Sequence, residues 1–366
     1  MTEKRRQCSV LVLTGVLLFG LAVWNVLKPA DAVSASERRA LAQMPKLSAE
    51  AVLNGSYMTG FESASQDQFP LRDGFRRLKA WTLRGALGQK DDHGIYLADG
   101  YAAKLDYPMN ESSVEHAAER FAWIYENYLK GNAGHVYFAP IPDKNYFLAA
   151  KNGYPSMDYK AFVSAVCEKM PYADCIDLTP ALTLDCYYRT DIHWRQEMLT
   201  EAAALLAENM GVTLTAQYGT KTLDAPFYGV YCGQSALPLA PDTLCYLEND
   251  ILRGCTVYDY ETDTELPVYD LAAAEGNDAY ALFLSGSKSL LTITNPHAKT
   301  GRELIVFRDS FASSLAPLLA EGYAKITLID IRYIAPARLG KWVDFSGKDV
   351  LFLYSTPVLN SSETIK

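Results

Sequence analysis

The sequence predicts an α/β fold: a three-layer sandwich with a mostly parallel sheet between two layers of helices. From residue 95 onward, short β-forming runs alternate with helical runs, a pattern typical of strands that pair in parallel. Hydrophobic residues make up 49% of the 366, with 24 Tyr, 14 Phe and 5 Trp, so the chain is able to bury a large core.

The first 27 residues predict a short cytoplasmic tip and a transmembrane anchor helix. Lys4, Arg5 and Arg6 precede an apolar run without charge until Lys28, long enough as a helix to cross roughly 30 Å of hydrocarbon. The basic cluster is expected to stay in the cytoplasm. The chain is then a single-pass protein of the cell membrane whose main domain is extracytoplasmic. A cleaved signal peptide is the alternative, although the apolar run is long for one.

Residues 28–94 are predicted to form a stem that contains an amphipathic helix. The segment is polar and is interrupted by Pro45 and Pro70. Apolar residues then recur at helical spacing from Leu71 to Trp81. We expect this helix to pack its apolar side on the main domain.

The main domain is predicted to span residues 95–366. Residues 213 to about 300 differ from the rest, because they are rich in Tyr, Thr, Asp and Gly and contain alternating runs such as "CTVYDY" and "YALFLSG". This stretch is expected to be an antiparallel β insertion. The predicted elements outside it are strands at "HVYFAPIP", "CIDLTP", "ELIVFRD", "KITLIDIRYI" and "DVLFLYS", and helices at "MDYKAFVSAVCEKM", "RQEMLTEAAALLAENMG" and "SFASSLAPLLAEGY".

Charge and cysteine content exclude some functions. The net charge of −9 argues against a nucleic-acid partner, which requires a basic surface. Six of the seven cysteines lie outside the apolar run; an even number permits disulfides, but no pairing can be deduced. The chain has no C-x-x-C and no cysteine-histidine cluster with ligand spacing, so neither a metal nor another cofactor is expected.

Two short motifs suggest a nucleophilic site. In "YYRTDIHWRQE", Asp191 precedes His193 by two positions, which supplies a base and a carboxylate to orient it. Ser310 follows a predicted strand at a strand-to-helix turn, and functional groups collect at the carboxyl ends of strands in open α/β sheets. A serine hydroxyl is inert as a nucleophile without such a base. The alternative is that Ser310 caps the next helix.

Taken together, "TDIHW", "RDSFASSLAPLL" and "LIDIRY" resemble the DHHW family of bacterial surface proteins. That family is related to alginate O-acetyltransferases, which have an SGNH-hydrolase-like domain. The similarity extends through "ERRALAQMPKLS", "DQFPLRD", "GIYL", "APIPDKNYFL" and "DVLFLY". The resemblance implies an SGNH-like sandwich and a catalytic triad of Ser310, His193 and Asp191. Two positions depart from the patterns: Arg308 stands where the SGNH pattern has glycine, and Ile192 replaces one histidine of D-H-H-W.

The resemblance leaves three functions open. The first is O-acetyl transfer to a cell-envelope polysaccharide, with acetyl groups supplied through a membrane-bound acyltransferase partner. The second is a surface carbohydrate O-acetylesterase that uses the same triad, and the third is a non-catalytic surface assembly protein on the same scaffold. Four further residues are candidates for substrate binding, each with a structural alternative: Tyr188 and Trp194 for sugar stacking or core packing, Arg332 for substrate or a salt bridge, and Asn295 for the oxyanion or a turn.

Overall fold

The computed structural model describes residues 3–237 and 239–366, and the chain divides into two compact units. Unit 1 comprises Met1–His93 and Cys232–Pro238, and unit 2 comprises Gly94–Tyr231 and Leu239–Lys366. The α-helices are α1 (Glu3–Leu27), α2 (Ala49–Leu53), α3 (Ser56–Asp67), α4 (Arg72–Trp81), α5 (Glu111–Ile124), α6 (Asn145–Leu148), α7 (Tyr159–Glu168), α8 (Thr200–Asn209), α9 (Val230–Ser235), α10 (Asp250–Gly254), α11 (Leu271–Ala274), α12 (Ala312–Leu315) and α13 (Thr356–Asn360).

The strands are short except in the central sheet and in one long hairpin. They are β1 (Val33–Ser34), β2 (Arg39–Ala40), β3 (Asp91–Asp92), β4 (Ile95–Ala98), β5 (Tyr101–Lys104), β6 (Val136–Ile141), β7 (Asp174–Cys175), β8 (Gly219–Phe227), β9 (Asp242–Glu248), β10 (Thr256–Asp259), β11 (Thr264–Leu266), β12 (Leu290–Thr294), β13 (Glu303–Arg308), β14 (Lys325–Ile329) and β15 (Asp349–Ser355).

Unit 1 begins with the apolar helix α1. Its 25 residues are long and apolar enough to cross a membrane, and none of them is buried in the protein. The amphipathic helix predicted after Pro70 is α4, but the expectation that its apolar side is packed is wrong. Leu71, Phe75, Leu78 and Trp81 are exposed, whereas Ala80 on the opposite side is buried.

Unit 2 is built on an eight-stranded sheet with the order β11-β10-β12-β14-β13-β15-β6-β7. The five strands from β14 to β7 pair in parallel. The β insertion adds β12, β10 and β11, which pair antiparallel at one edge. It also forms the separate antiparallel hairpin of β8 and β9. The predicted mostly parallel sheet with an antiparallel insertion is therefore confirmed.

The side chains of the central strands alternate between the two faces of the sheet, and each face is covered by its own layer of helices. Leu304 and Val306 of β13 pack in a core with α8 and α12, whereas Ile305 and Phe307 pack in a second core with α5 and α7. Because successive side chains of a strand point to opposite faces, both faces of the sheet are covered by helices.

Two predicted elements differ in the structure. The helix expected after Ser310 is broken into α12 and a 3₁₀ turn at Ala316–Leu319, because Pro317 has no N–H to continue the α-helical hydrogen bonds. The run "YALFLSG" is a 3₁₀ turn at Ala279–Leu282 instead of a strand.

The cysteines form one disulfide. Cys167 at the end of α7 is bonded to Cys175 in β7, with the two Cα atoms 6.2 Å apart. No second disulfide occurs within residues 3–237 and 239–366. This bond ties the edge strand β7 to the helix that precedes it.

Candidate active site

The loop that carries Asp191 and His193 is closed on itself by backbone hydrogen bonds. Tyr187 and Trp194 face each other in an antiparallel bridge, and the Tyr188 N–H donates to the His193 carbonyl at 3.1 Å. Within the loop, the His193 N–H donates to Asp191 Oδ1 at 3.1 Å. The two-residue spacing therefore places the carboxylate beside the imidazole.

Ser310 lies in the turn after β13, at the carboxyl edge of the parallel strands. Asp309 satisfies the backbone of this turn: its Oδ1 accepts the Phe311 N–H at 3.0 Å, and its Oδ2 accepts the Ser355 N–H at 2.7 Å. The helix cap is Phe311, so the interpretation of Ser310 as a cap is wrong. Its hydroxyl is directed at His193 instead.

The three predicted side chains form a hydrogen-bonded series. Asp191 Oδ1 lies 2.6 Å from His193 Nδ1, and His193 Nε2 lies 2.8 Å from Ser310 Oγ. A carboxylate only accepts hydrogen bonds, so Nδ1 carries the proton of a neutral imidazole and Nε2 is left to accept from the Ser310 hydroxyl. Asp191 is buried, with 1% of its side chain exposed against 12% for His193. The base and the hydroxyl are thus partly exposed, whereas the orienting carboxylate is buried.

Residues from the β insertion hold the Asp191 loop in place. The Val230 N–H donates to Asp191 Oδ2 at 2.8 Å. Asp242 accepts the N–H groups of Arg189 at 2.9 Å and Thr190 at 2.8 Å. Gly229 passes so close that an added Cβ would lie 2.3 Å from the Thr190 carbonyl. Sequence reasoning missed these supports, because none of them belongs to a recognisable motif.

The buried network behind the motif "PIPDKN" supports the same loop. Lys144 Nζ donates to the Tyr188 carbonyl at 2.9 Å and lies 4.9 Å from the centre of the Tyr231 ring. Its neighbour Asp143 is buried, and burial raises the pKa of that carboxyl to about 7. These groups follow β6, so a second strand end fixes the backbone beside His193.

Tyr280, also from the insertion, is a further site residue that the sequence did not identify. Its ring stacks on His193 with centroids 3.8 Å apart and an interplanar angle of 7°. Its hydroxyl lies 2.8 Å from Ser314 Oγ. Burial raises the pKa of Tyr280 far above its usual range, so the phenol remains protonated. As one of 24 tyrosines, it carried no local signal.

We expect Tyr280→Leu to lower kcat for ester hydrolysis more than it changes KM, because the stacked ring orients His193 and faces the charge it acquires. A ring-cation contact is worth up to about 2 kcal/mol, which corresponds to roughly 30-fold in rate. Tyr280→Phe keeps the ring and should restore most of kcat. A Tyr280→Phe variant as slow as Tyr280→Leu would assign the effect to the hydroxyl instead of the stack.

The aromatic residues beside His193 are core residues. Tyr188 and Trp194 are both 0% exposed, and the Trp194 Nε1–H donates to the Phe311 carbonyl and to Ser314 Oγ, both at 2.9 Å. The sugar-stacking role suggested for Tyr188 and Trp194 is therefore wrong: neither ring has a face open to a ligand. Trp194 instead joins the His193 loop to the turn that follows Ser310.

Replacing Trp194 with alanine should destabilise the fold and reduce ester hydrolysis and acetyl transfer equally. Loss of a buried Trp costs about 3–5 kcal/mol. Urea unfolding measures the first effect, and parallel assays of acetate release and transfer to an oligosaccharide measure the second. Selective loss of transfer would show that Trp194 contacts the acceptor after all.

The other two candidate binding residues, Arg332 and Asn295, lie at opposite edges of the sheet. Arg332 follows β14 at the same edge as Ser310, and its guanidinium is held by Asp330 in a two-point ion pair of 2.6 and 2.9 Å. Asn295 follows the antiparallel β12, so it lies at the opposite edge, where its amide donates to the Ala320 carbonyl at 2.8 Å. The oxyanion role suggested for Asn295 is therefore wrong.

Arg308, at the position of the SGNH glycine, is 1% exposed. Its guanidinium donates to Ser313 Oγ at 2.9 Å and to the Lys288 carbonyl at 3.3 Å. Burial lowers the pKa of Arg308, and the charge of Asp330 opposes this shift. The side chain thus braces the turn that carries Ser310. Among the residues that the structure describes, no three His, Cys, Asp or Glu side chains gather to hold a metal ion.

Comparison with known proteins finds similarity in structure alone. No protein-family model and no curated protein matches the sequence. A DHHW family protein from Eubacterium siraeum aligns with a TM-score of 0.60 and 22% identity, over 75% of this chain and 95% of that one. Bacillus cereus PatB1 aligns with a TM-score of 0.59 and 18% identity, over 74% of this chain and 98% of that one. The O-acetyltransferase domain of Pseudomonas putida AlgJ aligns with a TM-score of 0.44 and 15% identity, over 73% of this chain and 92% of that one. The chain therefore shares its fold with the first two proteins.

Proposed function

We propose that this chain is a DHHW-type O-acetyltransferase that modifies a cell-envelope polysaccharide. The observation that carries the proposal is the series from Asp191 Oδ1 through His193 to Ser310 Oγ, with contacts of 2.6 and 2.8 Å. Such a series is the arrangement that activates a serine hydroxyl for acyl transfer. The resemblance of "TDIHW" and "RDSFASSLAPLL" to the alginate O-acetyltransferases supports acetyl as the acyl group.

In the proposed reaction, His193 Nε2 takes the proton of Ser310 while Oγ attacks the acetyl carbonyl carbon. The C=O electron pair moves to oxygen and then returns as the bond to the leaving alkoxide breaks, and the imidazolium protonates that alkoxide. The second half reverses these roles. A sugar hydroxyl gives its proton to His193 and attacks the acyl-enzyme carbonyl, the bond between the acyl carbon and Oγ breaks, and the imidazolium returns the proton to Ser310. Asp191 stays ionised and stabilises the imidazolium in both halves.

The proposed location follows from α1. As an uncleaved anchor, α1 would hold the chain at the membrane with unit 2 on the extracytoplasmic side, where envelope polysaccharide is found. An acetyl donor in the cytoplasm would then have to cross the membrane, so we infer a membrane-bound acyltransferase as the partner that supplies acetyl groups.

Hydrolysis is the second candidate function, and one observation favours it. The rings expected to hold an acceptor sugar, Tyr188 and Trp194, are buried. If no other surface holds the sugar, water takes the acetyl group and the chain is a carbohydrate O-acetylesterase with the same triad.

The test uses the full chain in detergent with a chromogenic acetyl ester, alone and with alginate or chitin oligosaccharides. A transferase releases chromophore faster with its acceptor present, and mass spectrometry finds acetyl on the sugar. An esterase yields acetate with or without sugar. A sulfonyl fluoride should modify Ser310 in either enzyme and block turnover. A chain with neither ester turnover nor a reactive Ser310 would be a non-catalytic assembly protein.

A further inference from the structure

Helix α4 of unit 1 turns its apolar side to solvent. Leu71 is the N-cap of the helix, and Phe75, Leu78 and Trp81 follow within it at spacings of three residues, so these three form one stripe along the helix. The exposed fractions of Leu71, Phe75, Leu78 and Trp81 are 61%, 44%, 57% and 65%. A contiguous apolar surface of this kind on a folded chain marks a site of interaction.

The orientation of α4 is held from its opposite side. Ala80 is 1% exposed. Arg76 Nη2 donates to the carbonyls of Gly233 at 2.8 Å and Gln234 at 3.0 Å, and Arg72 is ion-paired with Glu37. Rotating the stripe inward would break all of these contacts. The stripe is therefore a fixed outer surface of unit 1.

Helix α3 extends the apolar surface. Met58 and Phe61 are 61% and 40% exposed, and together with Phe75 they line a groove of about 880 Å³ between α3 and α4. The surface formed by these three residues, Leu71, Leu78 and Trp81 is called the α3–α4 face below.

Two basic side chains, Arg77 and Lys79, border this face, whereas Arg72 and Arg76 are paired on the opposite side of α4. Between positions 72 and 84 the sequence carries five basic residues and one acidic residue, in a chain whose net charge is −9. Arg77 is exposed and has no acidic partner among the residues that the structure describes. The Lys79 side chain is 52% exposed and its Nζ lies 3.4 Å from Asp92 Oδ1, so Arg77 is the unpaired charge of this rim. A locally basic rim on an acidic protein is complementary to an anionic surface.

The combination is that of a helix that lies in a membrane interface. Such helices are strongly amphipathic yet low in overall hydrophobicity, with Trp, Phe and Leu on one side and Lys and Arg on the other. Trp also concentrates at the membrane-water boundary. The candidate membrane span α1 ends at Leu27, only 44 positions before Leu71, so an anchored chain keeps the face close to a bilayer.

We propose that the α3–α4 face binds the membrane surface, with its apolar side chains at the headgroup-acyl boundary and its basic rim on anionic phospholipid headgroups. The proposal takes α1 as the anchor, as proposed above, and adds a second membrane contact that involves unit 1 itself.

The test reconstitutes the full chain in nanodiscs of phosphatidylcholine and phosphatidylglycerol, with and without brominated lipid. The emission of a Trp81→Phe variant is subtracted from that of the parent chain. The difference is the emission of Trp81 alone, without that of Trp24 in α1 or the other tryptophans. We expect brominated lipid to quench Trp81 and acrylamide to quench it poorly. Replacing phosphatidylglycerol with phosphatidylcholine should weaken the quenching of Trp81 by lipid.

The matched variant is Phe75→Glu with Leu78→Glu. Both side chains are exposed, so the variant should keep ester hydrolysis in detergent and should stay in the nanodisc through α1, but lose the quenching of Trp81 by lipid. Acrylamide access to Trp81 in chain-loaded nanodiscs would overturn the proposal. So would a Trp81 shielded from both quenchers, which would mean that a second copy or another protein covers the face. A chain that fails to enter nanodiscs would refute both membrane contacts while leaving acyl transfer to be judged by the ester assay.

Discussion

Replacing Ser310 with alanine is expected to abolish ester turnover, with a fall in kcat of roughly 10⁴-fold or more, as for other nucleophile deletions in serine triads. The neighbouring hydroxyls are engaged elsewhere: Ser313 binds Arg308, and Ser314 binds Trp194 and Tyr280. None of these is directed at His193. Initial rates with a chromogenic acetyl ester measure the effect.

The stability of the Ser310→Ala variant should be close to that of the parent chain, because the side chain that accepts the backbone N–H of Phe311 in this turn is Asp309 and not Ser310. Ser164→Ala, at an exposed position on α7, is the control and should be fully active. Ester hydrolysis by Ser310→Ala at more than a small fraction of the parent rate would place the nucleophile elsewhere.

Asp191→Asn is expected to lower kcat by about 10⁴-fold, since the change reverses the tautomer of His193. The asparagine has one acceptor oxygen where the aspartate has two. The Val230 N–H donates to Asp191 Oδ2 at 2.8 Å and the His193 N–H to Oδ1 at 3.1 Å, so the amide NH₂ meets a donor in either orientation. With the oxygen on Val230, the NH₂ faces the imidazole and Nδ1 must accept, so Nε2 carries the proton and donates to Ser310 instead of accepting from it. With the oxygen on His193, the Val230 contact that holds the loop is lost.

The control for this change is Asp158→Asn. Asp158 caps α7 through the Ala161 N–H, and asparagine caps a helix as well as aspartate does, so both stability and turnover should be unchanged. Circular dichroism should show that Asp191→Asn remains folded. Near-normal kcat in a folded Asp191→Asn variant would mean that the carboxylate has no part in proton transfer.

Much of the fold was predictable because it depends on local patterns. The central strands read as continuous hydrophobic runs, and β13 and β15 lie where "ELIVFRD" and "DVLFLYS" predicted them. A strand buried on both faces admits hardly any polar residue, so its limits are visible in the sequence. The same approach failed for β7, of which only two residues pair, because an edge strand has weaker constraints on composition.

The residues of the candidate site that lie in motifs are visible in the sequence: Asp191 two positions before His193, and Ser310 directly after a buried strand. Their surroundings depend on contacts between distant parts of the chain. Tyr280, Val230 and Asp242 reach the site from the insertion through contacts over distances of 39 to 87 positions, which leave no local pattern. Which aromatic side chains are exposed also depends on the tertiary structure. Trp194, considered for sugar stacking, is enclosed by the core, whereas Trp81, expected to pack, is exposed. Burial depends on what the rest of the chain places against a residue, so a sequence pattern shows that a surface is apolar without showing what covers it.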